Sequence, residues 1–103
     1  MSWIDVGAAS NLAEEVPFAA DLQGRAVLVV RCGAEVHAVD DLCTHDGQPL
    51  EDATVEACQI VCPRHGARFC LRTGEALTPP AYEPLATYAV RIEAGRVLVN
   101  APD

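Results

Sequence analysis

The chain has 103 residues, half of them hydrophobic, with fifteen Asp and Glu against seven Arg and no Lys, giving a formal net charge of −8. That length holds one domain with a modest core, residues 1–103, and leaves no room for a two-domain enzyme. So acidic a surface repels nucleic acid and anionic lipid and is drawn to basic patches on protein partners. Five cysteines, an odd number, argue against a complete disulfide framework.

Residues 1–6 carry no positive region followed by an apolar stretch, so no secretory signal is expected. Residues 2–6 alternate weakly, as a first edge strand would. Residues 10–15 read as a capped turn or loop, with Pro17 ending any helix. Residues 18–22 and 26–31, joined by Gln23-Gly24-Arg25, read as a hairpin, and Cys32-Gly33-Ala34 turns the chain into a further strand at 35–40. The longest fully apolar run, residues 26–30, is far short of the roughly 20 residues of a membrane-spanning helix. The expected location is therefore the cytoplasm, with no membrane association.

Residues 54–55 and 58–61, joined at Glu56-Ala57, predict a short hairpin; residues 67–71 continue extended into a turn at 72–75. Thr78-Pro79-Pro80-Ala81 predicts irregular backbone, because neither proline can donate to a ladder. Residues 87–93, Ala94-Gly95 and 96–100 predict a closing hairpin. Eight to ten short strands at this spacing describe an all-β protein built as an antiparallel β-sandwich.

The chemistry sits in two short segments: Cys43-Thr44-His45, a C-x-H pair, and Cys62-Pro63-Arg64-His65, a C-x-x-H pair. Each brings one soft thiolate and one imidazole close enough to share a metal centre. A [2Fe–2S] cluster with two cysteines on one iron and two histidines on the other needs this mixed donor set. Structural zinc is the alternative, but Cys₂His₂ zinc modules pair Cys with Cys and His with His, and are much shorter than this β-rich chain. Gly47 and Gly66 follow the pairs at points where a Cβ would hinder a tight turn.

Asp40-Asp41-Leu42-Cys43-Thr44-His45 and Cys62-Pro63-Arg64-His65-Gly66-Ala67-Arg68-Phe69 closely resemble the two cluster loops of the Rieske iron–sulfur family. The resemblance runs from about residue 27 to 99 and is strongest over 40–74. It implies a cluster-binding subdomain of two ligand loops, about residues 41–81, inserted in an antiparallel β base, with 78–81 as a proline-containing loop over the cluster. It further implies one [2Fe–2S] cluster per chain, held by Cys43 and Cys62 on the inner iron and His45 and His65 on the outer. Binding an oxidised cluster through two thiolates leaves the net charge unchanged, and one electron adds one negative charge.

The family's respiratory branch has a disulfide between the loops and a serine and tyrosine that hydrogen-bond to sulfur. Those positions here are Gly47, Arg64, Ala67 and Phe69. Fewer hydrogen bonds to the cluster imply a reduction potential near the low end of the Rieske range, on the order of −150 mV. The chain therefore resembles the ferredoxin components of bacterial aromatic-ring dioxygenases. That resemblance implies a non-catalytic carrier taking single electrons from a flavin-containing, NADH-dependent ferredoxin reductase to a terminal Rieske non-haem iron oxygenase. The chain does not resemble the oxygenase itself: no histidine follows His65 to supply a mononuclear iron site. A carrier for another redox system, such as a nitrite reductase small subunit or a component linked to cluster assembly, and a zinc-stabilised interaction module remain as alternatives.

His37, in a predicted strand, is assigned no role. Cys32, Cys58 and Cys70 are expected to be buried free thiols; Cys58 is near enough to Cys62 to compete as a ligand, but a strand intervenes. The carboxylates around the first loop read as a solvated face that collectively steers docking.

Overall fold

The computed structural model describes residues 2–44, 47, 49–50, 53–63, 66–79 and 82–101. Among these, the strands are β1 (Ser2–Ala8), β2 (Phe18–Leu22), β3 (Arg25–Cys32), β4 (Glu35–Asp40), β5 (Thr54–Glu56), β6 (Gln59–Val61), β7 (Arg68–Cys70), β8 (Thr87–Tyr88), β9 (Val90–Glu93) and β10 (Arg96–Ala101), with one 3-10 turn at Ala9–Asn11. They pair into three antiparallel sheets, β1-β10-β9, β2-β3-β4-β8 and β5-β6-β7, which meets the expectation of an all-β antiparallel protein. No described helix is long and apolar enough to cross a membrane.

Alternation along β3 explains the layering. Successive side chains of a strand point to opposite faces. Val27 and Val29 enter one core with Ala38, Val97, Val99 and Ala101, while Leu28 and Val30 enter the other with Val39, Ile60, Phe69 and Leu71. All four β3 residues are fully buried. A strand covered on both faces must read as an unbroken apolar run, and residues 26–30 do. The β2-β3-β4-β8 sheet is thus the middle layer, and the second core, which holds both sequence-predicted cysteine ligands, joins it to the β5-β6-β7 sheet.

Three expectations are corrected. The strand expected across 87–93 is two: β8 pairs with β4 and β9 with β10, and the break falls at Ala89, whose carbonyl accepts from the Asn100 N–H at 2.9 Å. The β5–β6 turn lies at Ala57-Cys58, one residue later than expected, with both residues at positive φ and no glycine to mark it. Cys32 and Cys58 are not free thiols but form a disulfide. The β3–β4 hairpin and the β5–β6 turn, distant in sequence, bring the two sulfurs together across the second core. Closing a loop of 26 residues in this way is worth about 3–4 kcal/mol on the chain-entropy argument. Cys70 does remain a thiol, but a partly exposed one, and the Thr73 hydroxyl bonded to it lowers its pKa.

Candidate metal centre

The first loop leaves β4 at Asp40 and is pinned at both ends. The Asp41 N–H donates to the Ala26 carbonyl at 3.0 Å, and the Asp41 carboxylate accepts from the Leu50 N–H at 2.6 Å, so one aspartate closes the segment that carries Cys43. Leu50 is fully buried in the second core, and the Ala53 N–H donates to its carbonyl at 2.9 Å. The second loop leaves β6 at Val61 and returns as β7, with the Cys62 N–H donating to the Ala67 carbonyl at 2.8 Å.

The two loops share one backbone device. The Gly47 N–H donates to the Cys43 carbonyl at 2.8 Å, and the Gly66 N–H donates to the Cys62 carbonyl at 2.9 Å. Gly47 has φ +73 and Gly66 φ +72, a conformation that costs residues with a Cβ and costs glycine almost nothing. Each turn therefore closes on its cysteine carbonyl four residues before a left-handed glycine, although in sequence the histidine stands two residues after Cys43 and three after Cys62. Cys43 and Cys62 are 0% and 1% exposed, lie in the same apolar core and belong to no disulfide.

That arrangement fits a metal centre. Cys43 and Cys62 share one dry core with Leu28, Ile60 and Phe69, and two soft sulfur donors so placed would suit one iron of a cluster. His45 and His65 lie outside the described residues, as do Asp46 and Arg64. Ala67 and Phe69, both fully buried in the core that holds the two cysteines, offer no hydroxyl to a sulfide.

Further contacts link the loops to the segment that follows. The Thr44 hydroxyl donates to the Glu83 carbonyl at 2.7 Å, which ties the first loop to the chain beyond the prolines. The Leu77 N–H donates to the Arg68 carbonyl at 2.8 Å and the Arg68 N–H donates to the Thr78 hydroxyl at 3.0 Å, so 77–78 lies along β7. Of the predicted proline loop, Pro80 and Ala81 lie outside the described residues. Leu77 and Tyr82 line a shallow cavity of about 170 Å³ together with Pro79, and Tyr82 is 82% exposed. Sequence reasoning missed the Asp41 closure and the Thr44 bridge, since each depends on a partner nine or more residues away.

A β base, two buried cysteines on matching glycine turns and mixed Cys/His loops define a small iron–sulfur protein of ferredoxin type. The chain belongs to the Rieske [2Fe–2S] domain family, which matches residues 2–89, earlier in the chain than the span read from sequence, and it carries one [2Fe–2S] cluster. Within that family it is similar to dioxygenase ferredoxins. The naphthalene 1,2-dioxygenase ferredoxin component of Pseudomonas putida is 33% identical over 97% of this chain and 96% of its own. The solved ferredoxin of carbazole 1,9a-dioxygenase from Nocardioides aromaticivorans IC177 covers 100% of both chains at 34% identity with a TM-score of 0.93. A ferredoxin solved in complex with the oxygenase of carbazole 1,9a-dioxygenase is 31% identical over 96% of this chain and 93% of that one, with a TM-score of 0.90.

Proposed function

We propose that the chain shuttles single electrons from a flavin-containing, NADH-dependent ferredoxin reductase to a terminal Rieske oxygenase acting on an aromatic ring. Its cluster is held by Cys43 and Cys62 on one iron and His45 and His65 on the other. The single observation that carries the ligand assignment is the matched pair of Cys-to-Gly turns, which presents both sulfurs to one apolar core and leaves each histidine between its cysteine and its glycine. The bound cluster supplies one reversible one-electron site, whose electron favours the iron held by neutral imidazoles.

The chain's own residues shape that site. Cys43 and Cys62 anchor its dry side in the core. Thr44 ties the first loop to Glu83, next to Tyr82, and the exposed apolar surface of Tyr82 and Leu77 offers a docking area. Ala67 and Phe69 offer no hydroxyl to a cluster sulfur, which places the potential near the low end of the Rieske range, on the order of −150 mV. Residues 41–81 form the cluster-binding subdomain of a single cytoplasmic domain. The chain is thus a carrier whose chemistry ends with the electron.

The test is an electron paramagnetic resonance spectrum of anaerobic, dithionite-reduced protein, followed by turnover with candidate reductase–oxygenase pairs. A rhombic signal with average g clearly below that of all-cysteine ferredoxins establishes mixed nitrogen–sulfur ligation, and support of oxygenase turnover establishes the role. A colourless, zinc-loaded protein would overturn both. A normal Rieske signal without turnover by any pair would leave the carrier and remove the oxygenase.

A further inference from the structure

We propose that Cys32, Glu35, His37 and Cys58 form a second metal site, a zinc(II) site that the disulfide closes and reduction opens. Cys32 and Glu35 are cross-strand partners at the ends of the Gly33-Ala34 turn, and His37 stands opposite Val30, two residues further along each strand. Period-two alternation puts Cys32, Glu35 and His37 on one face, the face on which Leu28 and Val30 meet the β5-β6-β7 sheet. Cys58 arrives there from that sheet, on a turn in which Ala57 and Cys58 both take positive φ, 53° and 57°, without a glycine. Such a turn is costly for two residues with a Cβ, and its result is to set the Cys58 sulfur against the β3–β4 hairpin.

The donor atoms already converge. A Glu35 carboxylate oxygen, a His37 ring nitrogen and the Cys58 sulfur all lie within 4.8 Å of one another, and the Cys32 sulfur is bonded to that of Cys58. Tetrahedral zinc with bonds of about 2.0–2.3 Å needs donors about 3.3–3.8 Å apart, which asks for small side-chain shifts only. Two thiolates, an imidazole and a carboxylate are donors that this borderline-soft ion takes. Charge balances too. Two thiolates and one carboxylate exceed zinc by one negative charge, and Arg72, whose Nε–H donates to Glu35 at 2.8 Å, offsets it. Glu35 also bonds His37 Nε2 at 2.9 Å, so the carboxylate already orients the imidazole. The set is separate from the cluster ligands: β6 runs between Cys58 and Cys62, and Cys32 belongs to the middle sheet.

The chemistry balances without the cluster. A dithiol reductant gives two electrons and two protons to the Cys32–Cys58 bond, yielding two thiols as the reductant becomes a disulfide. Zinc then displaces both thiol protons. Disulfides persist poorly in a reducing compartment, and zinc would keep the β5–β6 hairpin tied to the middle sheet there.

The test uses holoprotein reduced anaerobically with a trialkylphosphine, freed of reductant and dialysed against micromolar zinc, with zinc and iron measured together. The expected result is one zinc gained per chain with no loss of iron, and none in unreduced protein or in the Cys32→Ser/Cys58→Ser variant. His37→Ala should weaken zinc binding by about tenfold or more. X-ray absorption at the zinc edge should show two sulfur and two lighter neighbours. Equal zinc before and after reduction, zinc gained as iron is lost, or a four-sulfur shell would each overturn the site. Should the double variant lose its cluster, reduced against unreduced wild type, with His37→Ala, still decides the matter.

Discussion

Two buried side chains without hydroxyls stand behind the low potential proposed for this site. Ala67 and Phe69 are fully buried in the core that holds Cys43 and Cys62. A hydroxyl at either position would donate toward sulfur and stabilise the reduced cluster, so Ala67→Ser and Phe69→Tyr should each raise the potential by on the order of tens of millivolts. Voltammetry of holoprotein reads this, and an unchanged potential with an intact spectrum would show that no hydroxyl at these places reaches the cluster. Gly74 carries a different constraint. Its φ is +80, and an added Cβ would fall on the Leu85 carbonyl oxygen and within 3.0 Å of Thr87 Cγ2. Gly74→Ala should therefore cost more than about 3 kcal/mol. Gly95→Ala, at φ +75 with nothing within 4 Å, should cost only about 1 kcal/mol. Urea midpoints of the two variants compare them, and equal losses would remove the steric account. The pairing of Cys43 with Cys62, which share one core, was legible in sequence because short-range spacing carries it. The Cys32–Cys58 bond was not, because it depends on how two separate hairpins stack.

At the level of strands, most of the order was readable from alternation and turn residues. The failures fall where a signal was missing or a partner was remote. Ala57-Cys58 turns without glycine, and the stretch 87–93 looks like one strand because nothing local tells that Thr87 and Tyr88 belong to β4's sheet. Tyr88 shows what this placement does. Its hydroxyl donates to the Asp40 carboxylate and accepts from Arg25 Nη1 at 3.0 Å, joining β8, β4 and β3 where the first ligand loop departs. Burial, first of all, raises the Tyr88 pKa above 10; the Arg25 hydrogen bond opposes that rise and the Asp40 carboxylate adds to it. The folded state thus holds the phenol proton more tightly than the unfolded chain. This stabilisation is fully present below pH 10 and lost as the pH climbs through the folded pKa. Tyr88→Phe should be less stable than wild type by about 1 kcal/mol at pH 8, and the gap should close above pH 10. Thermal midpoints across that range test the sign. A gap that widened with alkali would contradict it.

Over the whole molecule, charge is the property that a partner meets first. Fifteen carboxylates against seven arginines leave −8, and reduction adds one more negative charge. Several arginines are engaged at home: Arg68 with Glu56 at 2.7 Å, Arg72 with Glu35 at 2.8 Å and Arg96 with Asp5 at 3.0 Å. Much of the negative field is therefore left to act outward. Fields of this kind raise encounter rates by about 10- to 1,000-fold at low salt and do so over a Debye length, about 10 Å at 0.1 M and 3 Å at 1 M. Apolar contact at the docking area proposed around Leu77 and Tyr82 would be insensitive to that screening. Salt should accordingly slow the approach far more than it loosens the docked pair. The second-order rate of electron transfer to a cognate oxygenase should fall by about tenfold or more between 0.05 and 0.5 M salt, while the potential of the isolated protein moves little. Stopped-flow oxidation of the reduced protein measures the first and voltammetry the second. Tyr82→Ala should instead raise the dissociation rate and leave the salt slope unchanged. A rate indifferent to salt would mean that the carboxylates serve only solubility, and that recognition begins at the apolar edge of the loops.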